Sequence, residues 1–116
     1  MAEFPTVTVH PGDVVVADLP GITGTKRRPA LVVSTDVYHT VRPDVVLGLL
    51  TGQITAATSP TDYRLQDWAT AGLHTPTAFR TFLITLPQVD VIAVIGHLSQ
   101  RDWAEVQDRL RQAIAV

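Results

Sequence analysis

Gly24-Thr25-Lys26-Arg27-Arg28-Pro29-Ala30-Leu31-Val32-Val33-Ser34 is the stretch on which the reading of the chain turns. Three consecutive cations meet a proline, and an apolar run follows. The prolyl ring disfavours helix at Arg28 and biases it toward extended backbone. Ala30 to Val33 are apolar and end β-branched, so they read as a buried strand. The residues before it, 21–28, read as a polar loop. Arg28 then stands where that loop enters a rigid strand, a good place to hold a cation against a phosphate. The plainer reading is a solvated loop, where most exposed cations are found.

Outward from this stretch, the chain alternates short apolar runs with turn residues. Toward the N-terminus, residues 6–9 predict a first short strand. His10-Pro11-Gly12-Asp13 predicts a turn. Val14-Val15-Val16-Ala17 predicts a strand closed by Pro20-Gly21. Toward the C-terminus, residues 35–42 predict a turn or weak helix, ended by Pro43. Val45-Val46-Leu47-Gly48-Leu49-Leu50 is a third buried run, in which Gly48 marks a bulge or a close backbone approach. It ends in Thr51-Gly52-Gln53, and residues 54–60 are loop-like. Tyr63-Arg64-Leu65 predicts a short edge strand. Residues 67–72 predict one helical turn, with Asp67 as N-cap and Gly72 as stop. Residues 77–86 and 89–95 predict two further strands. The last segment predicts a helix. Ser99 and Asp102 resemble a capping box, and Trp103, Val106, Leu110 and Ala113 or Ile114 form an apolar stripe. Glu105 and Arg109 are spaced for a surface pair.

Six or seven short strands and one terminal helix predict a mainly β (α+β) fold. The expected form is a mostly antiparallel barrel or strongly coiled sheet, with short helical insertions and a C-terminal helix. The 116 residues fit a single domain over 1–116. Hydrophobic residues make up 46% and charged residues 17%, so a real core is expected rather than disorder. The net charge is −2, so any contact with a polyanion must come from a local patch. There are no cysteines, which removes disulfides, thiolate metal sites and a cysteine nucleophile, and fits a reducing compartment. Residues 1–11 do not read as a secretory signal, and no apolar run approaches the length of a membrane span.

Chemistry-bearing motifs are few. His10, His39, His74 and His97 are scattered, without the spacing of a metal-ligand set. There is no Gly-x-Ser-x-Gly elbow and no Gly-rich phosphate loop ahead of a helix. Arginines and hydroxyls at strand ends remain: Arg28 at the start of one strand, Thr51 at the end of another, Arg80 within a third. If those strands are neighbours, the three side chains converge on one phosphate. An arginine fork gives two parallel donors to phosphate oxygens, and the threonine hydroxyl adds a third. Such a cluster stabilises the extra charge of a pentacoordinate phosphorane. In RNA the 2′-hydroxyl already stands beside phosphorus, so cleavage needs a base, an acid and charge stabilisation, with no protein nucleophile and no metal. Arginine is poorly suited to proton transfer, since its pKa is above about 12. The structural alternative is ordinary pairing: Asp90 offers Arg80 a strand carboxylate, and Thr51 suits any turn.

These residues resemble a known family. Gly12-Asp13-Val14-Val15, Lys26-Arg27-Arg28-Pro29-Ala30-Leu31-Val32-Val33-Ser34 and Leu50-Thr51-Gly52-Gln53-Ile54 are similar to segments of the MazF/PemK toxins of bacterial toxin–antitoxin pairs. So are Leu65-Gln66-Asp67-Trp68, Ala71-Gly72-Leu73, Ala78-Phe79-Arg80 and Ile95-Gly96-His97-Leu98-Ser99, in the same order. The resemblance implies a small SH3-like barrel that forms a homodimer. It implies metal-independent, cofactor-free cleavage of single-stranded RNA, usually mRNA, leaving a 2′,3′-cyclic phosphate and a 5′-hydroxyl, in the bacterial cytoplasm. It implies an antitoxin partner with an acidic tail. Arg28 resembles the family's arginine before proline, a proton-transfer and phosphate-contacting position. Thr51 resembles the hydroxyl that holds the scissile phosphate, and Arg80 a basic residue of several members. Lys26, Arg27 and Gln53 fall among the RNA-contacting residues, and the two cations also suit an acidic antitoxin. Phe82 stands where some members carry an aspartate as a proposed base. Two alternatives stay open: a non-catalytic barrel that binds RNA or a protein, and a toxin of the same architecture directed at a protein such as gyrase.

Overall fold

The three apolar runs pair side by side and form the centre of one sheet. They lie in β1 (Asp13–Gly21), β2 (Gly24–Val32) and β3 (Asp44–Thr51). The computed structural model describes residues 7–21 and 24–116. Three more strands follow: β4 (Tyr63–Arg64), β5 (Ala78–Pro87) and β6 (Val91–His97). The sheet order is β4-β5-β3-β2-β1-β6, and every neighbouring pair is antiparallel. The sheet curls into a half-barrel, with β4 and β6 at its two edges. Two α-helices complete the fold, α1 (Asp36–Val41) and α2 (Gln100–Ala113). No helix among the described residues is long and apolar enough to cross a membrane.

Successive strand residues point to opposite faces, and here both faces are covered. Val15, Ala17, Ala30, Val32 and Leu47 belong to one buried cluster. Val14, Leu31, Leu50, Phe79 and, from α2, Val106 belong to a second, against which Trp103 and Leu110 of α2 pack. That double cover explains why the central strands read as continuous apolar runs. Gly48 behaves as its position in such a run suggests. A Cβ there would stand 2.4 Å from Phe79 Cε1. Beside it the register shifts, since Gly48 opposes Leu83 while Leu49 opposes Arg80. Thr81 and Phe82 therefore bulge out of β5, leaving Phe82 61% exposed.

Several local expectations change. Residues 7–9 form no strand, and Thr6 lies outside the described residues. The expected loop at 21–28 is largely strand: β1 and β2 pair as far as Gly21↔Gly24, so Lys26 opposes Leu19 and Arg27 opposes Asp18. Cross-strand pairing extends the hairpin through residues whose own types are neutral about it. Residues 35–42 do form a helix, α1, capped by the Thr35 hydroxyl, which accepts from the Tyr38 amide. The expected helical turn at 67–72 is a series of turns, because Asp67 serves α2 rather than its own backbone. Gly72 does close it, at φ +87°. Ser99 caps α2 by accepting from the Asp102 amide, but the Asp102 carboxylate makes no reciprocal bond. It is fully buried and accepts from Tyr63 Oη at 2.7 Å, Gln66 N at 3.0 Å and Asp67 N at 2.8 Å. The apolar stripe ends at Leu110, since Ala113 and Ile114 are exposed.

Candidate functional site

Strand register sets the site. The β2–β3 ladder runs Val32↔Leu47, Leu31↔Gly48, Ala30↔Leu49. The ladder stops there, two residues short of Arg28 and Thr51; Arg28 itself opposes Ala17 of β1. On the other side of β3, Leu49 opposes Arg80 and Thr51 opposes Ala78. Residues opposite one another, or two apart on a strand, share a face of the sheet. By alternation Arg28, Thr51 and Arg80 therefore share one face of the sheet, Arg28 midway along β2, Thr51 at the end of β3 and Arg80 near the start of β5. No hydrogen bond or ion pair joins them among the described residues.

Their surroundings differ. Arg28 is half-buried and has no polar partner among the described residues. Thr51 is buried, and its Oγ1 accepts from the Gln53 amide at 3.1 Å, which leaves the hydroxyl proton available to a ligand. Arg80 lies with its Nε 3.8 Å from Oδ2 of Asp62, so its carboxylate neighbour is Asp62 rather than Asp90. Asp62 also accepts from the Ser59 amide at 3.2 Å and the Thr81 amide at 3.4 Å. On the hairpin, Arg27 donates to Asp18 at 3.1 and 3.4 Å, and this bond raises the guanidinium pKa above its ordinary value. Lys26 is exposed, with no carboxylate partner among the described residues.

A cleft of about 530 Å³ opens beside β2. One wall is Arg27, Arg28 and Pro29. Another is Gly52, directly after Thr51, and a third is the segment 72–77, with Leu73, His74, Thr75 and Thr77. Lys26, Thr51, Gln53 and Arg80 lie outside its lining. A second hollow, about 630 Å³, is lined mainly by apolar side chains such as Val33, Leu83, Trp103 and Leu110, with Arg111 and Ser34 among its polar residues. Among the described residues, no three His, Asp or Glu side chains converge as a metal-ligand set.

The third wall was not legible from residue types alone. The residues before it are tied to α2 by the buried Asp102 carboxylate and by Asp67. Arg101 donates to both oxygens of Asp67 at 2.7 Å, and Ser99 Oγ donates at 2.6 Å. Those bonds hold the Asp67 carboxyl well below its usual range, at about 2. Burial first, then the Asp102 carboxylate, raises the Tyr63 phenol above its ordinary value. Arg109 lies over the Tyr63 ring at 5.3 Å and donates to the Asp62 carbonyl at 3.3 Å. The sequence signal that points here is His74-Thr75-Pro76-Thr77, a polar run just ahead of the long strand β5.

With this geometry in hand, similarity to known proteins adds a further line of evidence. A model of the PemK-like, MazF-like toxins of type II toxin–antitoxin systems matches residues 10–114. No curated protein sequence matches significantly. Among solved structures, the chain is similar to a mycobacterial endoribonuclease in complex with its cognate antitoxin. They share 22% identity at a TM-score of 0.73, over 91% of this chain and 94% of that one. The Mycobacterium tuberculosis toxin MazF-mt6 shares 20% identity at a TM-score of 0.71, over 87% and 94%. A MazE–MazF structure from Deinococcus radiodurans shares 20% identity at a TM-score of 0.67, over 90% and 93%. At these identities the structural likeness is one of fold.

Proposed function

The chain belongs to the PemK-like, MazF-like toxins of type II toxin–antitoxin systems, and from that membership we propose that it is an endoribonuclease that cuts single-stranded RNA, mRNA above all. The observation that carries the reading is Arg28: a half-buried arginine without a polar partner among the described residues, lining a cleft that Gly52, the residue after Thr51, also lines. A cation left unpaired in a cleft is ready to receive an anion.

The reaction follows from where charge develops. The ribose 2′-oxygen attacks the adjacent phosphorus, and the bond from phosphorus to the 5′-oxygen breaks. The products are a 2′,3′-cyclic phosphate and a 5′-hydroxyl. Negative charge on the phosphoryl oxygens peaks in the pentacoordinate transition state. Arg28 meets it there with parallel N–H donors, and the Thr51 hydroxyl adds one more. Arg80 shares their face of the sheet and serves the same phosphate or its neighbour. Lys26, Arg27 and Gln53 contact the RNA further from the reacting atoms. The nucleophile belongs to the substrate, so the chemistry calls for no cofactor.

A cognate antitoxin with an acidic tail fits the same cationic hairpin, and the mycobacterial and Deinococcus structures hold antitoxins of their own. The exposed apolar residues Ile92, Val94 and Ile95 along the edge strand β6 support a homodimer. The bacterial cytoplasm, where mRNA is found, is the proposed location. The test is direct: incubate the purified protein with a long single-stranded RNA in the presence of a chelator and map the ends. The reading predicts cyclic-phosphate and 5′-hydroxyl termini. RNA left intact, or cleavage that the chelator abolishes, overturns it.

A further inference from the structure

We propose that His74 is the general base that takes the proton from the ribose 2′-hydroxyl. The inference rests on the endoribonuclease reading above. That reaction needs a proton acceptor that works near neutral pH, and the residues already placed at the phosphate cannot supply one. Arginine stays protonated in proteins, and a threonine hydroxyl is a poor base. The described residues lining the cleft include no aspartate and no glutamate. Phe82 bulges out of β5 and is not part of the lining. His74 alone in that wall carries a group of the right kind, since imidazole changes charge in the range where a base must act.

The backbone around His74 is fixed on both sides, as a positioned base requires. On the N-terminal side, a Cβ on Gly72 would stand 2.3 Å from the Ile95 carbonyl oxygen, and one on Gly96 would stand 2.0 Å from the Ala71 carbonyl oxygen. Residues 71–72 thus lie backbone to backbone against β6, and Leu73 is buried, with its amide donating to the Trp68 carbonyl at 3.2 Å. On the C-terminal side, Thr77 is buried. Its hydroxyl donates to the Thr75 carbonyl at 2.8 Å, and its carbonyl accepts from the Leu65 amide at 3.0 Å. Between these anchors His74 is exposed.

The groups facing it across the cleft are few. β2 presents Arg27, held by Asp18, and Arg28. The turn after β3 presents Gly52, β1 presents Val16 and β6 presents Ile95. The only charges among them are cationic. Arg28 and His74 line the same cleft, so a phosphate drawn into it by Arg28 comes beside the segment that carries the imidazole. In the step itself the unprotonated ring nitrogen takes the 2′-hydroxyl proton, and the oxygen's electron pair forms the new bond to phosphorus. The bond to the 5′-oxygen breaks with its pair on that oxygen, which takes a proton from water. The imidazolium then returns its proton to the hydroxide so formed.

Single-turnover cleavage of a single-stranded RNA by the parent, His74→Gln and His74→Ala, across about pH 5 to 8, tests the assignment. Binding of the same RNA with 2′-deoxyribose at the cut site is measured alongside. Both variants should cut about 100-fold more slowly or worse. They should also lose the rise of rate with pH that the parent shows, and bind the uncuttable RNA as the parent does. Added imidazole should restore part of the rate to His74→Ala. His74→Gln cutting at the parent's rate with the parent's pH profile overturns the proposal, as does a loss of rate matched by an equal loss of binding. A parent that leaves every RNA intact instead defeats the endoribonuclease reading, and this inference falls with it.

Discussion

The carboxylate of Asp102 is fully buried and accepts hydrogen bonds from Tyr63, Gln66 and Asp67, whereas the guanidinium of Arg28 is half-buried and has no polar partner among the described residues. Both charges lie beside the 65–77 segment, one behind it and one across the cleft from it. Asp102 is spent on structure: it fastens that segment to α2 and satisfies three donors at once. Arg28 is held by Pro29 and by its place opposite Ala17 in the β1–β2 ladder, and it engages no polar partner among the described residues. A fully satisfied buried charge and an unsatisfied accessible one are different devices, and only the second can bind something else.

The largest effect expected on stability separates the two. Asp102→Ala leaves three donors unpaired, each costing about 1–3 kcal/mol, and should lower unfolding stability by about 3 kcal/mol or more. Arg28→Ala should change it by less than about 0.5 kcal/mol. Urea unfolding of both variants measures this, and a reversed order breaks the comparison. Gly48→Ala should cost about 1–3 kcal/mol, because a Cβ there meets the Phe79 ring and disturbs the register that sets Arg80. Smaller effects sharpen the contrast among the cations. Lys26→Ala should reduce the salt slope of RNA binding by about 0.7. Arg27→Ala should reduce it less, because Asp18 already pairs with Arg27. The smallest concerns pH. Asp67 is depressed to about 2 in the folded chain, below its ordinary value of 3.8. Its contribution is therefore complete above about pH 4 and is lost as pH falls through about 2. Asp67→Asn should flatten that part of a plot of urea midpoint against pH.

The features legible in the sequence are those whose cause is local. The apolar runs, Gly48, the edge strand at Tyr63 and the Ser99 cap each carry their own signal within a few residues. What escaped depends on partners far along the chain. Lys26 and Arg27 lie in a strand because Leu19 and Asp18 pair with them. Asp67 caps nothing because Arg101, 34 residues on, takes both its oxygens. Asp102 looks like half of a capping box, but residues 63–67 claim it. The site divides the same way. Thr51 announces itself at the end of β3, as expected, whereas Arg28, expected at a strand start, lies in the middle of β2 because β1 pairs with its N-terminal half. His74 has only the weak signal of a polar run ahead of β5, and the cleft is what places it among catalytic candidates.

Single-turnover cleavage of single-stranded RNA by Arg28→Ala, set against the parent and with urea midpoints measured on both, bears most directly on the claim that Arg28 is held unpaired for a phosphate. The account predicts a rate lower by about 100-fold or more, the scale of losing one transition-state donor, with an unchanged midpoint. A variant that cuts as fast as the parent contradicts it.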